Sequence, residues 1–197
     1  MPPRFVIATR NAGKIREIRA LLGRLPYAFV DRFEGVPPVL ETGDSYADNA
    51  TLKAVQTSLH LKLPALAEDS GIEVDALGGR PGVHSARYSG QGDEANNRKL
   101  LGELAAVPDE RRTCRYRCVA VFAAGDSVVF VTEGTCEGIV LREPRGTGGF
   151  GYDPLILIPK LDKTMAQLTL VEKNRLSHRA VALKAMKKRL AGWLQAR

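Results

Sequence analysis

The chain has no apolar run approaching the roughly 20 residues that a membrane span requires. The start, Met1-Pro2-Pro3-Arg4, is not followed by the apolar core of a signal peptide, so no secretion or membrane partner is expected. Only three cysteines occur, Cys114, Cys118 and Cys136. Their odd number and irregular spacing argue against a disulfide framework and for a reducing, cytoplasmic setting. Cys114 and Cys118 are expected on one strand, where four steps separate them by roughly 13 Å, and a disulfide needs Cα atoms within about 7 Å. No internal repeat or long linker is present, and Gly-rich segments are short.

What is there is ordinary in bulk. Hydrophobic residues make up 44% and charged residues 26% of 197, which suits one large soluble domain or two small lobes. The net charge of +7 favours an anionic partner: nucleotide, nucleic acid or acidic surface. Much of that excess sits in Lys184 to Arg189, a solvated helix face.

Patterning predicts a mixed α/β chain. Arg4 to Ala8 reads as a strand, Thr9 to Gly13 as a polar loop, and Lys14 to Leu22 as a helix with Ile15, Ile18 and Leu22 on one face. Ala28 to Val30 reads as a short strand. Ser45 caps a helix to about His60 that buries Ala47, Ala54, Val55 and Leu59. Leu63 to Ala67 reads as a buried strand that runs out into an acidic loop. Asp93 caps a helix carrying Leu100, Leu101 and Leu104. Arg115 to Ala123 and Ser127 to Glu133 form a hairpin turned at Gly125-Asp126, and Cys136 to Leu141 adds a further strand. Leu155 to Ile158 is a buried strand closed by Pro159. The last helix runs from near Ser177 to near Leu194, with Leu183, Met186, Leu190 and Leu194 as its apolar stripe. This order predicts a mixed sheet.

The most informative stretch is Ala67 to Gly79, dense in carboxylates and glycines. Glu68, Asp69 and Ser70 are expected where strand gives way to loop, the place at which open α/β sheets bind ligands. Adjacent acids repel unless a cation or proton intervenes. A hard ion such as Mg²⁺ relieves that and brings phosphate with it.

Four further constellations look chemical. Thr9-Arg10-Asn11-Ala12-Gly13-Lys14 joins strand to helix, offering helix-start N–H groups and a lysine to an anion. It lacks the Gly-Lys-Ser/Thr ending of a P-loop. Asn49 and Lys53 share a helical face behind Glu41, so that Lys53 reaches phosphate and Glu41 a metal. Arg145 to Asp153 sets Phe150 and Tyr152 among glycines, which suits stacking on a flat ring. Asp153, held extended before Pro154, then accepts from a ring N–H. Lys173 to Arg179 places Ser177 as an N-cap, with Leu176 and Val181 as a staple. His178 and Arg179 fall in the first turn, where cations oppose the helix dipole. Such a broken rule marks functional donors, here for a carbonyl oxygen.

Together these stretches resemble the inosine triphosphate pyrophosphatase family. The matching segments are IATRNAGKIREI from Ile7, ETGDSYADNATLKA from Glu41, AEDSGIEVDALGGRPGVHSARYSG from Ala67, GTGGFGYDP from Gly146 and EKNRLSHRA from Glu172. They occur in the family's order and cover nearly the whole chain. His84, Ser45 to Asp48 and Leu155-Ile156 depart from its usual pattern without removing a ligand.

The resemblance implies an elongated, two-lobed α/β fold around a long mixed sheet with flanking helices, acting as a single pyrophosphatase domain over 1–197 with its site in the cleft. It also implies a cytoplasmic homodimer with no membrane association and no stable nucleic-acid partner. The implied reaction is Mg²⁺-dependent hydrolysis of non-standard purine nucleoside triphosphates (ITP, dITP, XTP) to the monophosphate and pyrophosphate. Glu41 and Asp69 look like the Mg²⁺ ligands, and Asp69 like the proton acceptor for the attacking water. Thr9, Arg10, Asn11, Ala12, Gly13, Lys14 and Lys53 look like the triphosphate cradle, and Ser70 a substrate contact. Phe150, Gly151, Tyr152, Asp153, Lys173, His178 and Arg179 look like the nucleobase pocket.

Two other readings compete. A Maf-like pyrophosphatase cleaves the same bond in other nucleotides, but its first loop carries serine and paired arginines. A basic nucleic-acid-binding module wants Lys and Arg interleaved with aromatics. Here the basic C-terminal run and the aromatics are separate.

Overall fold

The computed structural model describes residues 4–196. Seven strands form one mixed sheet in the order β2-β1-β3-β4-β5-β6-β7. They are β1 (Phe5–Ile7), β2 (Tyr27–Phe29), β3 (Ala65–Val74), β4 (Thr113–Ala124), β5 (Ser127–Val140), β6 (Ile156–Ile158) and β7 (Lys163–Thr164). The helices are α1 (Ala12–Leu22), α2 (Tyr46–Leu61), α3 (Asp93–Glu103), α4 (Leu170–Leu176) and α5 (His178–Gln195). β1 pairs parallel with β2 and β3, while β5, β6 and β7 pair antiparallel. A parallel pair needs a crossover, and α1 and α2 supply one each. The expected mixed sheet is therefore present. Among the described residues no helix is long and apolar enough to cross a membrane.

The chain divides into two compact units. The first holds the residues up to Asp69, Cys118–Gly134 and the residues from Arg179 on. Its core is built from Phe5, Ile18, Leu22 and Phe122, with Leu183, Met186 and Leu190 of α5 packed in the same cluster. The stripe expected for the last helix is the buried one. The second unit holds Ser70–Arg117 and Thr135–His178. Its core is Ile72, Val74, Leu100, Leu104, Leu155 and Ile156, with Tyr116 and Tyr152 among them.

Several boundaries differ from the sequence expectation, each for a physical reason. α1 starts at Ala12 because the Asn11 side chain caps it, accepting from Lys14 N. α2 buries Tyr46, Ala50, Ala54 and Ser58, a four-residue repeat. That turns Leu59 outward to 53% exposure and leaves Ala47 and Val55 only partly covered. Asp93 is the first residue of α3 and caps nothing there; its carboxylate accepts from Gly151 N. Cys136 to Val140 continues β5 without a break, so no separate strand forms. Lys173 lies inside α4, a short helix opened by the Thr169/Glu172 capping box. Ser177, in extended backbone between α4 and α5, donates its N–H to Lys173 O. Val181 stays 44% exposed, so the expected staple with Leu176 gains little burial.

The largest departure is β3. It runs through Glu68, Asp69 and Ser70 to Val74 instead of giving way to a loop. A strand tolerates adjacent buried acids because successive side chains leave by opposite faces.

Candidate active site

Strand alternation sorts the two acids of β3. Glu68 takes Lys14 Nζ at 3.0 Å and the Arg179 guanidinium at 3.2 Å. Asp69 takes Lys53 Nζ at 2.8 Å. The repulsion expected between neighbours is relieved by separate cations from separate helices, α1 and α5 for Glu68 and α2 for Asp69.

The Glu68 side is closed. Arg179 is 1% exposed and holds Glu17 as well as Glu68. Burial is the largest influence on Glu68 and opposes ionisation, yet Arg179, Lys14 and Lys53 outweigh it and hold the carboxyl well below its ordinary range. Burial likewise works against the Arg179 charge, and Glu68 and Glu17 overcome it. The cation in the first turn of α5 thus faces carboxylates. The structure sets its guanidinium between two acids, Glu17 and Glu68. Glu17 carried a signal of its own: it sits between Lys14 and Ile18, on the edge of the buried face of α1.

On the Asp69 side, Lys53 Nζ lies 2.8 Å from Glu41 Oε1 and 2.8 Å from Asp69 Oδ1. One ammonium therefore holds the two carboxylates together. Burial alone would lower Lys53, but Asp69 and Glu41 raise it above the ordinary lysine range. For Asp69, burial exceeds the pull of Lys53 and raises the carboxyl above its ordinary value. Asp69 Oδ2 is buried and has no partner among the described residues. The segment bearing Glu41 is fixed by Asn49, whose Oδ1 accepts from Gly43 N at 2.8 Å. A Cβ at Gly43 would come within 2.5 Å of Asp48 Cβ, so the close approach requires glycine.

These residues fit a hard divalent ion. The donors are carboxylate oxygens, they already converge on a cation, and the buried Oδ2 of Asp69 awaits a partner. No group of three or more metal-ligating side chains occurs among the described residues.

The loop from Thr9 to Lys14 is ordered by its own side chains. Thr9 Oγ1 accepts from Asn11 N at 3.3 Å, and Asn11 Oδ1 from Lys14 N at 3.0 Å. Arg10 is anchored on Val36 O at 2.6 Å. Ala12 is exposed and Gly13 buried at the helix start, whose first N–H groups have no intrahelical partner.

In the second unit another cluster forms. Asp153 is buried, and its carboxylate accepts from Phe150 N at 3.0 Å, from Tyr116 Oη at 3.2 Å and from the buried Lys173 ammonium. It begins a short 3₁₀ turn instead of standing extended, and internal donors hold the carboxylate expected to meet a ring N–H. Lys173 Nζ also lies 4.9 Å from the centre of the half-buried Phe150 ring. Tyr152 faces the core, its hydroxyl donating to Ser85 O at 2.9 Å, so of the two loop aromatics Phe150 is the more accessible. Gly151 is clamped by α3: its N–H donates to Asp93 and its carbonyl accepts from Asn97. The His178 ring stacks on Tyr116 at 4.7 Å and 9°. Ser70 follows Asp69 on β3, half-buried.

The seven-stranded mixed sheet with its helices defines an α/β protein, with a cation-held carboxylate pair in one unit and a lysine–aromatic cluster in the other. The model of the Ham1 family matches residues 5–189, and the chain belongs to that family. The dITP/XTP pyrophosphatase of Geobacillus kaustophilus is 51% identical over 183 residues, 91% of this chain and 90% of that protein. That of Geobacter sulfurreducens is 48% identical over 194 residues, 96% and 97% of the two chains. The solved structure of a HAM1 protein from Coxiella burnetii matches with a TM-score of 0.87 at 36% identity, covering 96% of this chain and 99% of that one.

Proposed function

We propose that the protein hydrolyses ITP, dITP and XTP to the nucleoside monophosphate and pyrophosphate with Mg²⁺. The observation that carries this is Lys53 holding Glu41 and Asp69 together while Asp69 Oδ2 lacks a partner. The match to dITP/XTP pyrophosphatases over nearly the full chain supports the substrate class. Family resemblance further supports a single functional domain working as a cytoplasmic homodimer, without a membrane or standing nucleic-acid partner.

Glu41 and Asp69 would hold the metal, which when bound would supply charge neutralisation and a more acidic water. Asp69 orients the attacking water at the α-phosphorus and accepts its proton. Lys14 and Lys53, with the helix start at Ala12 and Gly13, take up the charge of departing pyrophosphate. Arg179 and Glu17 brace Glu68, which in turn fixes Lys14.

The base is read in the second unit, by the Phe150 face and by donors from Lys173 and His178. A 6-oxo purine offers these donors an acceptor. Adenine presents an amino group there and leaves them unpaired, a heavy penalty in a buried site.

Product analysis tests the reading. ITP should give IMP and pyrophosphate, only with Mg²⁺ and far faster than ATP gives AMP. Formation of IDP and phosphate, or equal turnover of ATP, would refute it.

A further inference from the structure

Tyr116 belongs to neither the metal nor the phosphate group, and no sequence motif singles it out. It lies on β4 between Cys114 and Cys118, in the core of the second unit, and is 7% exposed. A phenylalanine would fill that space equally well. The hydroxyl is a polar group taken into an apolar core, a cost that must be offset by a partner. Its partner is Asp153 Oδ1 at 3.2 Å. The same carboxylate receives Lys173 and Phe150 N. The other end of the residue is also engaged, since the ring face stacks on His178.

Asp153 has little freedom to move. Gly149, at φ +75°, packs so closely that a Cβ there would lie 2.1 Å from Asp153 Oδ2. The carboxylate is therefore pinned from the loop side, and the Tyr116 hydroxyl completes its shell from the sheet side. One side chain thus touches both the support of Lys173 and the ring of His178.

We propose that Tyr116 is a positioning residue for purine selection, aiming Lys173 through Asp153 and His178 through ring stacking. This rests on the reading of Lys173 and His178 as donors to the 6-oxo group. Burial, with the Asp153 charge second, pushes the phenol well above its ordinary pKa, so it remains a donor across the working pH range.

The test is a double-mutant cycle on ITP and ATP kinetics with Tyr116→Phe, Lys173→Gln and the pair, each checked by thermal melting. Tyr116→Phe should raise KM for ITP roughly fivefold, the scale of one ordinary hydrogen bond, with kcat nearly unchanged. In the Lys173→Gln background that rise should disappear, because the hydroxyl acts through Lys173. A merely structural role would lower Tm and leave the KM effect the same in both backgrounds; that result, or no change in KM, overturns the proposal. Tyr116→Leu, which removes the stack, should lower the preference for ITP over ATP below that of Tyr116→Phe. Equal preference would remove the stacking half. If Lys173→Gln keeps the full wild-type preference, the base-pocket reading itself fails, and the proposal with it.

Discussion

Glu68 and Asp69, adjacent in sequence on β3, make their ion pairs with different helices: Lys14 and Arg179 hold one, Lys53 the other. One acid thus sits in a sealed ionic lock, while the other keeps a carboxylate oxygen ready, without a partner among the described residues.

Asp69→Asn tests the ready half. Replacing a general base and metal ligand should lower kcat by about 10²–10⁴-fold, while ITP binding by calorimetry and the melting temperature stay close to wild type. Turnover near the wild-type rate would remove Asp69 from the chemistry.

Glu41→Gln should change the metal requirement more than the fold. The Mg²⁺ concentration for half-maximal activity is expected to rise roughly tenfold or more, and chelation by EDTA should abolish turnover in both proteins. An unchanged Mg²⁺ dependence would show that Glu41 only anchors Lys53.

Arg179→Met tests the sealed half. The substitution leaves Glu17 and Glu68 buried without their guanidinium, at a cost of about 3–5 kcal/mol, measurable by urea denaturation. A loss below about 1 kcal/mol would mean that the lock is solvated.

The lock also has a pH signature. Glu68 has a folded pKa well below its ordinary 4.5. Its stabilising contribution is therefore complete above that value and lost as pH falls through the folded pKa. Wild type should exceed Glu68→Gln in stability at pH 7, and the gap should close on acidification below 4.5. A gap independent of pH would contradict the charged state of Glu68.

Much of this was legible in the chain itself. Apolar periodicity located α1 and α5, the Ser45 cap located α2, and the hairpin turn fell at Gly125-Asp126, because each depends on local pattern, capping or turn chemistry. The path of β3 through Glu68 and Asp69 was not legible. Two buried acids look like a loop until their cations, distant in sequence, are known to arrive. Lys53 was expected at phosphate and Glu41 at a metal; that one ammonium bridges Glu41 to Asp69 depends on contacts 12 and 16 residues away. The inward turn of Tyr152 and the burial of Asp153 escaped for the same reason: Ser85, Tyr116 and Lys173 are remote along the chain. α4 is too short for periodicity to reveal.

The most direct test is hydrolysis of ITP in H₂¹⁸O with Mg²⁺, followed by mass spectrometry of both products. Water activated at Asp69 and attacking the α-phosphorus places ¹⁸O in IMP and leaves pyrophosphate unlabelled. Label in pyrophosphate would put the attack on the β-phosphorus, and label in free phosphate on the γ-phosphorus; either contradicts the assigned chemistry.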